Sequence, residues 1–247
     1  MREPAYDVIG RRYARHRRPD PRIARQILDA LGDADSVLDV GAGTGSYEPR
    51  DRHVVAVEHS SVMIAQRSRG SPPVVQGRAE ELPFPDRAFD AALAIFTVHH
   101  WPDRRRGLAE LVRVASRRVV LTFDPAGHGD FWLWREYVPA AAELEMARAP
   151  TVEEVADAID ATRVEVVPVP WDCADGFGAA YWRRPEAYLD EDVRSCISCL
   201  AALPPSDVEP GIERLRSDLA GGAWRRRHAD LLERNSLDGG YRLVIAE

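Results

Sequence analysis

The chain has 247 residues, of which 45% are hydrophobic, and carries a formal net charge of −7 at pH 7. This length is sufficient to bury one full core, so we expect one domain with an elaboration rather than two domains. The acidic balance argues against a nucleic-acid-binding protein, whose surface normally carries a basic patch. No apolar run reaches the roughly 18–20 residues of a membrane helix, and the first residues have no apolar signal core, so we expect a cytoplasmic protein.

Residues 1–32 are expected to form a helical lid that is interrupted at Pro19 and Pro21. The part after the prolines repeats apolar side chains at helical spacing and should pack on the core. The part before them carries Tyr6 and Tyr13, which are seven residues apart and share one face of a helix. These two rings either pack in the core or close over the glycine-rich loop that follows.

A glycine-rich loop at residues 39–45 follows a short buried strand and should open a helix. Its glycines stand at spacing two, which lets the backbone lie against a ligand without an intervening Cβ atom. Free N–H groups at the start of the next helix can meet an anionic or polar ligand group, and Asp39 can accept hydrogen bonds from a cationic or amino group. Ser46 occupies the place of the last glycine in the dinucleotide fingerprint, and no Gly-Lys-Ser/Thr follows as in a P-loop.

The second predicted strand, residues 53–58, ends in Glu58, which stands 19 positions after Asp39. In a βαβ unit an acidic residue at this place faces the ribose hydroxyls of a nucleoside that lies over the first loop. Met63 enters the following helix, where its side chain either lies against a base or fills the core.

A third and a fourth predicted strand continue the alternation of strand, loop and helix. This alternation predicts an α/β protein with a doubly wound parallel sheet, in which ligands bind outside the carboxyl ends of the strands. Asp39, Glu58 and the turns at residues 78–80 and 97–101 all fall at those ends. We therefore expect them to converge on one crevice.

Five stretches carry a resemblance to a known family: residues 39–45, Glu58, and residues 78–84, 89–90 and 97–101. In order and spacing they resemble the class I S-adenosylmethionine (AdoMet)-dependent methyltransferases, most closely the small-molecule group that includes the quinone-biosynthesis methyltransferases. The resemblance covers about residues 35–125. It implies a Rossmann-like sheet of seven mostly parallel strands, with AdoMet as methyl donor and S-adenosylhomocysteine as product. Arg78 departs from the pattern, because the family usually has there an Asp that meets the adenine amino group.

The crevice and the resemblance together indicate the cofactor-binding residues. We expect the Ala79 N–H group and Glu80 to contact adenine and Thr97 to contact the methionine part. Tyr13 and Arg17 should close over the methionine carboxylate, which a guanidinium can bind in bidentate geometry. The predicted set is Tyr13, Arg17, Asp39, Gly41, Ala42, Gly43, Gly45, Glu58, His59, Met63, Ala79, Glu80 and Thr97.

The methyl carbon of a sulfonium is already activated, so holding nucleophile and methyl group in line in a closed, dry site can supply much of the rate. A base is needed only if the nucleophile starts protonated. His99 and His100 follow the fourth strand, and we expect His100, in preference to His99, to be that base. Alternatively, one of them is structural or flanks the cofactor. We expect no metal, because Asp124 is the only obvious additional carboxylate at the crevice.

The AdoMet-binding core should span residues 33–170, with a last core strand within residues 240–247. Residues 128–148 are expected to be helical and rich in aromatic side chains. A sixth strand is predicted at residues 164–169, and a seventh at residues 241–246 should close the sheet as an antiparallel edge.

Residues 171–239 are predicted to form an α-helical cap, inserted before the last strand, that lies over the crevice and holds the substrate. Aromatic side chains in the cap and near the crevice indicate an apolar or planar acceptor, although they can equally pack the cap's own core. The predicted substrate-binding residues are Trp101, Trp132, Trp171 and Trp182.

The function most consistent with the sequence is methylation of a small molecule on O, N or C, and the high Arg and Ala content favours bacterial secondary metabolism. An RNA or protein methyltransferase is an alternative, disfavoured by the acidic charge and by the lack of an Asn/Asp-Pro-Pro-Tyr/Phe signature after the fourth strand. An NAD(P)-binding oxidoreductase is a further alternative, disfavoured by the loop spacing. We expect a small-molecule acceptor, no nucleic-acid or membrane partner, and either a monomer or a homodimer.

Overall fold

The computed structural model of the protein describes residues 17–247, so the predicted contacts of Tyr6 and Tyr13 lie outside the described residues. The strands are Ser36–Val40 (β1), His53–Glu58 (β2), Val74–Gln76 (β3), Phe89–Ile95 (β4), Ala115–Phe123 (β5), Arg163–Val166 (β6), Val169–Pro170 (β7), Ser236–Leu237 (β8) and Tyr241–Ala246 (β9). The α-helices are Pro21–Leu31 (α1), Ser61–Ala65 (α2), Arg104–Val114 (α3), Pro125–Gly129 (α4), Trp132–Glu136 (α5), Pro139–Arg148 (α6), Val152–Ala158 (α7), Glu191–Ser195 (α8), Ser198–Ala202 (α9), Pro205–Ala220 (α10) and Ala223–Arg227 (α11). Short 3-10 helices occupy Val98–His100, Pro185–Leu189 and Leu231–Glu233.

Seven strands form one sheet in the order β3-β2-β1-β4-β5-β9-β6. The strands from β3 to β5 pair in parallel, whereas β9 runs antiparallel to both β5 and β6. The strand order reverses between β1 and β4, and such a switch point is where doubly wound sheets bind their ligands. The predicted seven-stranded, mostly parallel sheet is therefore confirmed, with helices inserted before the last strand.

The position of β9 differs from the prediction, which placed this strand at the edge of the sheet. It lies between β5 and β6 instead, and β6 forms the edge. Leu243, Val244 and Ile245 of β9 are fully buried, whereas Val164 and Val166 of β6 are 46% exposed. A strand buried on both faces fits the interior of a sheet, and the more exposed strand fits its edge.

Two segments that the sequence predicts to be continuous are divided in the structure. The predicted sixth strand is interrupted at Pro168, which has no N–H group to donate to the sheet, so β7 starts afresh and pairs with β8 in a separate two-stranded sheet. The predicted helix over residues 128–148 is three helices, α4 to α6. Pro125 and Pro139 each stand in the first turn of a helix, where the missing N–H group costs no hydrogen bond.

Apolar side chains cover both faces of the sheet. On one face, α1 buries Ile23, Ile27 and Leu31 in a cluster that also contains aromatic residues of α5 and of residues 171–239, called the insertion below. On the other face, α3 and α7 bury Leu111 and Val155 against the sheet. Among the helices described, none combines the length and the apolar composition that crossing a bilayer would require.

Candidate active site

A cavity of about 670 Å³ lies at the carboxyl ends of β1, β2 and β4, within the range of about 300–1,000 Å³ that is typical of small-molecule sites. We call it the main cavity. It brings together most of the residues that the sequence predicted: Arg17, Asp39, Gly41, Ala42, Gly43, Glu58, His59, Met63, Ala79, Glu80, Thr97, His100 and Trp101. The convergence of the strand ends on one crevice thus follows from the sheet order.

The glycine-rich loop needs its glycines for two separate reasons. Gly41, Gly43 and Gly45 all have positive φ, which side chains other than glycine rarely adopt. A Cβ atom on Gly41 would in addition stand 2.0 Å from the Thr97 hydroxyl oxygen. The loop backbone therefore lies directly against the end of β4, and Gly45 turns the chain without lining the main cavity.

Glu58 ties together the loops that follow β1 and β2. Its Oε2 atom accepts a hydrogen bond from the Gly43 N–H group at 2.8 Å, and its Oε1 atom accepts one from the Ser60 N–H group at 2.7 Å. The side chain is 92% buried yet lines the main cavity. A carboxylate has about four lone-pair sites, so Glu58 can accept further hydrogen bonds from hydroxyl groups of a ligand.

Asp39 lies at the floor of the main cavity and is almost fully buried. Burial raises the pKa of its carboxyl group well above the usual value, and the nearby Glu48 and Glu58 raise it further, although Arg67 opposes them. The positive charge near the Asp39 carboxyl group is therefore too small to offset its burial and the neighbouring acids. A cationic ligand group would favour its ionised form, which is the electrostatic condition for binding an ammonium or sulfonium group.

The turn after β3 places Ala79 and Glu80 on the main cavity. Glu80 accepts hydrogen bonds from the Asp103 N–H group at 3.2 Å and from Arg78 Nε at 3.4 Å. Arg78 thus directs its guanidinium to an acid two residues away. The Trp101 ring packs where a side chain on Gly107 would stand, and its Nε1 donates to the Thr97 hydroxyl at 3.0 Å, so it forms a fixed wall of the cavity.

His99 and His100 stand side by side, with ring centroids 3.9 Å apart, but face different spaces. His100 lines the main cavity, and burial together with the charges of Arg148 and Arg17 lowers its pKa to about 4. His99 lines a smaller space behind the cavity, and burial and the neighbouring His100 lower its pKa well below the usual value. Both imidazoles are therefore neutral at pH 7 and only weakly basic.

Arg17 reaches the main cavity and is also held by the insertion. Its Nε donates to Asp175 Oδ1 at 2.6 Å, and the Tyr47 hydroxyl donates to Asp175 Oδ2 at 3.0 Å. Asp175 is fully buried, so it offsets much of the Arg17 charge. Asp175 was missed at the sequence level, since no motif links it to a partner 158 positions away.

The other predicted substrate contacts lie away from the main cavity. Trp132 and Trp182 are buried in the core, where Trp132 Nε1 donates to the Trp182 carbonyl oxygen at 2.9 Å and Trp182 Nε1 to the Val169 carbonyl oxygen at 3.0 Å. Trp171 is 42% exposed, with the Arg183 guanidinium 5.1 Å from its ring centroid. Tyr13 lies outside the described residues. The cavity geometry therefore gives no support to a substrate role for these three tryptophans.

Phe96 is a cavity residue that the sequence analysis did not single out. It follows β4 with a φ of 51°, a left-handed conformation that is uncommon for a bulky residue. Its ring lines both the main cavity and the smaller space behind it. Such backbone strain in a cavity wall is an observation that points to function.

Comparisons with known proteins agree with this geometry. A methyltransferase domain family matches residues 38–123. The chain is 31% identical to a demethylmenaquinone methyltransferase of Renibacterium salmoninarum over 208 residues, which cover 78% of this chain and 83% of that protein. It is 39% identical to a demethylmenaquinone methyltransferase of Thermobifida fusca over 136 residues, covering 48% of this chain and 56% of that one.

Among solved structures, one from Anabaena variabilis, described as a methyltransferase of an antibiotic biosynthesis pathway, superposes with a TM-score of 0.85. It is 33% identical in sequence, and the match covers 94% of this chain and 98% of that one. The alignment with the Renibacterium protein spans most of both chains, and the structural match extends through the insertion as well. The chain belongs to the class I AdoMet-dependent methyltransferases of the small-molecule type.

Proposed function

We propose that this methyltransferase acts on a small apolar or planar acceptor and that the main cavity holds AdoMet, which supplies an activated methyl group when bound. The observation that carries the proposal is Glu58, whose buried carboxylate joins the loops after β1 and β2 and lines the same cavity. A diol donating to that carboxylate would complete its hydrogen bonds. The absence of side chains at Gly41 and Gly43 leaves the backbone open to the ligand.

The remaining cavity residues fit the other parts of the donor. Asp39 would attract the methionine amino group, because its carboxyl group is buried beside other acids. Glu80 and the Ala79 N–H group would meet adenine, and Thr97 would orient the methionine part. Arg17, which lines the main cavity and is held by Asp175, would contact the methionine carboxylate.

An aromatic ring acceptor is favoured by two kinds of support. Several relatives act on quinones by name, including the demethylmenaquinone methyltransferases. The wall of the main cavity next to His100 is formed by Phe96 and Trp101, whose flat surfaces suit a planar ring. The name of the Anabaena relative, which refers to an antibiotic biosynthesis pathway, supports a role of this chain in secondary metabolism. We further propose a cytoplasmic protein that works as a monomer or homodimer, without a metal.

The donor site is tested by titrating S-adenosylhomocysteine into the protein in a calorimeter. We expect micromolar affinity for the wild-type chain. Gly43→Val should weaken binding at least 100-fold, because it forces a side chain into a left-handed position beside Met63. Gly70→Val is the matched control, since a Cβ atom there would meet nothing within 4 Å. Binding of NAD in place of the nucleoside thioether would contradict the proposal.

The acceptor class is tested by transfer of the tritiated methyl group of AdoMet. We expect label on 1,4-naphthohydroquinone, a soluble planar acceptor, and none on bulk tRNA or on histone. Labelling of tRNA with a steep dependence on salt would instead indicate a nucleic-acid substrate.

A further inference from the structure

A second, smaller space lies behind Phe96, with a volume of about 40 Å³. We call it the inner chamber and define it by Phe96, His99, Glu145, Cys199 and Tyr241, which line it. Phe96 and Arg17 line the main cavity as well, so these two side chains form the wall between the two spaces. A space of this size holds one to a few waters, or a single polar substituent, but not a ring.

Two polar atoms of residues that line the inner chamber lack a partner. Glu145 Oε2 and His99 Nδ1 have no hydrogen-bond partner among residues 17–247, and their side chains belong to residues only 7% and 9% exposed. Leaving a buried polar atom without a hydrogen bond is destabilising, so these two atoms require an explanation. A ligand group that bonds to both atoms would supply it.

The hydrogen-bonding capacities of these two atoms determine which ligand group can bond to both. A Glu145 carboxylate oxygen only accepts hydrogen bonds, whereas the neutral His99 ring can donate through Nδ1–H in one of its tautomers. A hydroxyl group can donate to the first and accept from the second at once. The Cys199 thiol already bonds to the Glu145 carboxyl group, which leaves the second oxygen for the ligand.

The aromatic rings that line the inner chamber favour a hydroxyl carried on an aromatic ring. The Phe96 ring centroid lies 5.1 Å from that of Phe177 and 5.5 Å from that of Tyr241. Phe96 holds this place through a left-handed backbone conformation, which is strained for a phenylalanine. A planar acceptor in the main cavity would meet the other side of the Phe96 wall and could extend its hydroxyl past the ring edge.

We propose that the inner chamber binds the hydroxyl group of an aromatic acceptor, a phenol or hydroquinone, which donates to Glu145 and accepts from His99. The inference rests on the proposed function and adds to it a recognition site outside the motifs of the donor pocket. It assigns His99 to acceptor binding and leaves His100 on the main cavity. Burial raises the pKa of Glu145 to about 7, although the Cys199 thiol and Arg148 oppose this.

The test is calorimetric titration of phenol into protein saturated with S-adenosylhomocysteine. We expect millimolar binding to the wild-type chain and at least a tenfold loss of affinity in Glu145→Gln, because a hydrogen bond to a charged group is replaced by one to an amide. Glu143→Gln is the matched control, on the same helix but exposed to solvent. Circular dichroism and the affinity for S-adenosylhomocysteine show whether each variant is folded.

A comparison of ligands makes the test independent of that variant. Fluorobenzene has the ring of phenol but no O–H donor, and it should bind the wild-type protein at least tenfold more weakly. Equal binding of the two compounds, unchanged phenol affinity in a folded Glu145→Gln protein, or no phenol binding at millimolar concentration would each overturn the inference. Failure of the wild-type chain to bind S-adenosylhomocysteine would instead overturn the proposed function, so the two failures are distinguishable.

Discussion

Glu58 has two tasks at the same carboxylate. It accepts backbone hydrogen bonds from Gly43 and Ser60, which hold the loops after β1 and β2 together, and its side chain lines the main cavity. A carboxylate fixed by protein donors is already oriented before a ligand arrives. Binding then loses little side-chain entropy, which is how preorganisation increases affinity.

Glu58→Gln should weaken both tasks. A glutamine side chain has one carbonyl oxygen, so it can accept the hydrogen bond from Gly43 or the one from Ser60 but not both, and it presents a neutral group to the ribose hydroxyls. Because hydrogen bonds to charged groups contribute about 1.5–3 kcal/mol, we expect the dissociation constant of S-adenosylhomocysteine to rise by at least tenfold. Glu153→Gln, exposed in the first turn of α7, is the calorimetric control. An unchanged dissociation constant would remove Glu58 from the ribose site.

The position of a residue at the site could be predicted wherever a motif fixes the strand end on which its side chain stands. Asp39 and Glu58 belong to this class, because parallel strands carry their carboxyl ends to one edge of the sheet. The tryptophans do not, since an aromatic composition says nothing about which carbonyl oxygen satisfies an indole N–H group. Glu145 and Asp175 could not be found either, because their partners are brought near only by the packing of the insertion.

At the scale of elements, the start of α1 is also an anchor for the insertion. Asp20 caps the helix by accepting the Arg22 N–H group at 2.9 Å, and its other oxygen accepts the Ala174 N–H group at 3.0 Å. Next to it, Asp175 accepts hydrogen bonds from Arg17 and Tyr47. The helix that leads into β1 and the first residues of the insertion are therefore held by one pair of buried acids.

The Asp20 anchor should make stability depend on acid pH. Burial by itself raises the pKa of Asp20, but hydrogen bonds from Arg22 and the Ala174 N–H group outweigh it and lower the pKa to about 2. The unfolded chain binds the proton at the usual value of 3.8. This stabilisation is therefore fully present above pH 3.8 and is lost as the pH falls through about 2.

Asp20→Asn should accordingly lower the free energy of unfolding by about 2 kcal/mol at pH 7, as the shift of the pKa implies. The difference from the wild-type protein should shrink below pH 4. Urea denaturation at several pH values measures both effects, with Asp29→Asn on the exposed side of α1 as control. A difference that stays constant with pH would show that the Asp20 charge contributes nothing.

Helices and strands were predictable where apolar side chains recur at a clear period. They were less predictable where a proline or long-range strand pairing determines where an element ends or which strand it pairs with. The period alone identifies β1, β2, β4 and β9, but it does not say which strand occupies the edge. Burial on both faces of β9 fits a strand inside the sheet and leaves β6 at the edge, and this burial is a property of the assembled sheet. Within residues 128–148, Pro139 marks the start of α6 and was visible in the sequence, whereas the break between α4 and α5 contains no proline.

On the scale of the whole molecule, the insertion is continuous with the core of the sheet. Trp182, Tyr188 and Trp224 are fully buried in the same cluster as Ile27 of α1 and Leu243 of β9. The insertion, residues 171–239, therefore shares its core with one face of the sheet. Elements that share one core are expected to unfold together.

Thermal unfolding should therefore show one transition. Tryptophan fluorescence reports mainly the face that carries Trp132, Trp182 and Trp224, whereas far-ultraviolet circular dichroism reports every element, and we expect both curves to coincide. S-adenosylhomocysteine at about 100 times its dissociation constant should add about 2.7 kcal/mol, which raises Tm by about 5–10 °C for a chain of this size. The ligand would bind at the main cavity, away from most of the tryptophans. A core shared by the sheet and the insertion would nevertheless raise the midpoint of both the fluorescence and the circular dichroism curve. Fluorescence that changes first, with a midpoint that the ligand does not move, would show that the insertion unfolds as a unit of its own.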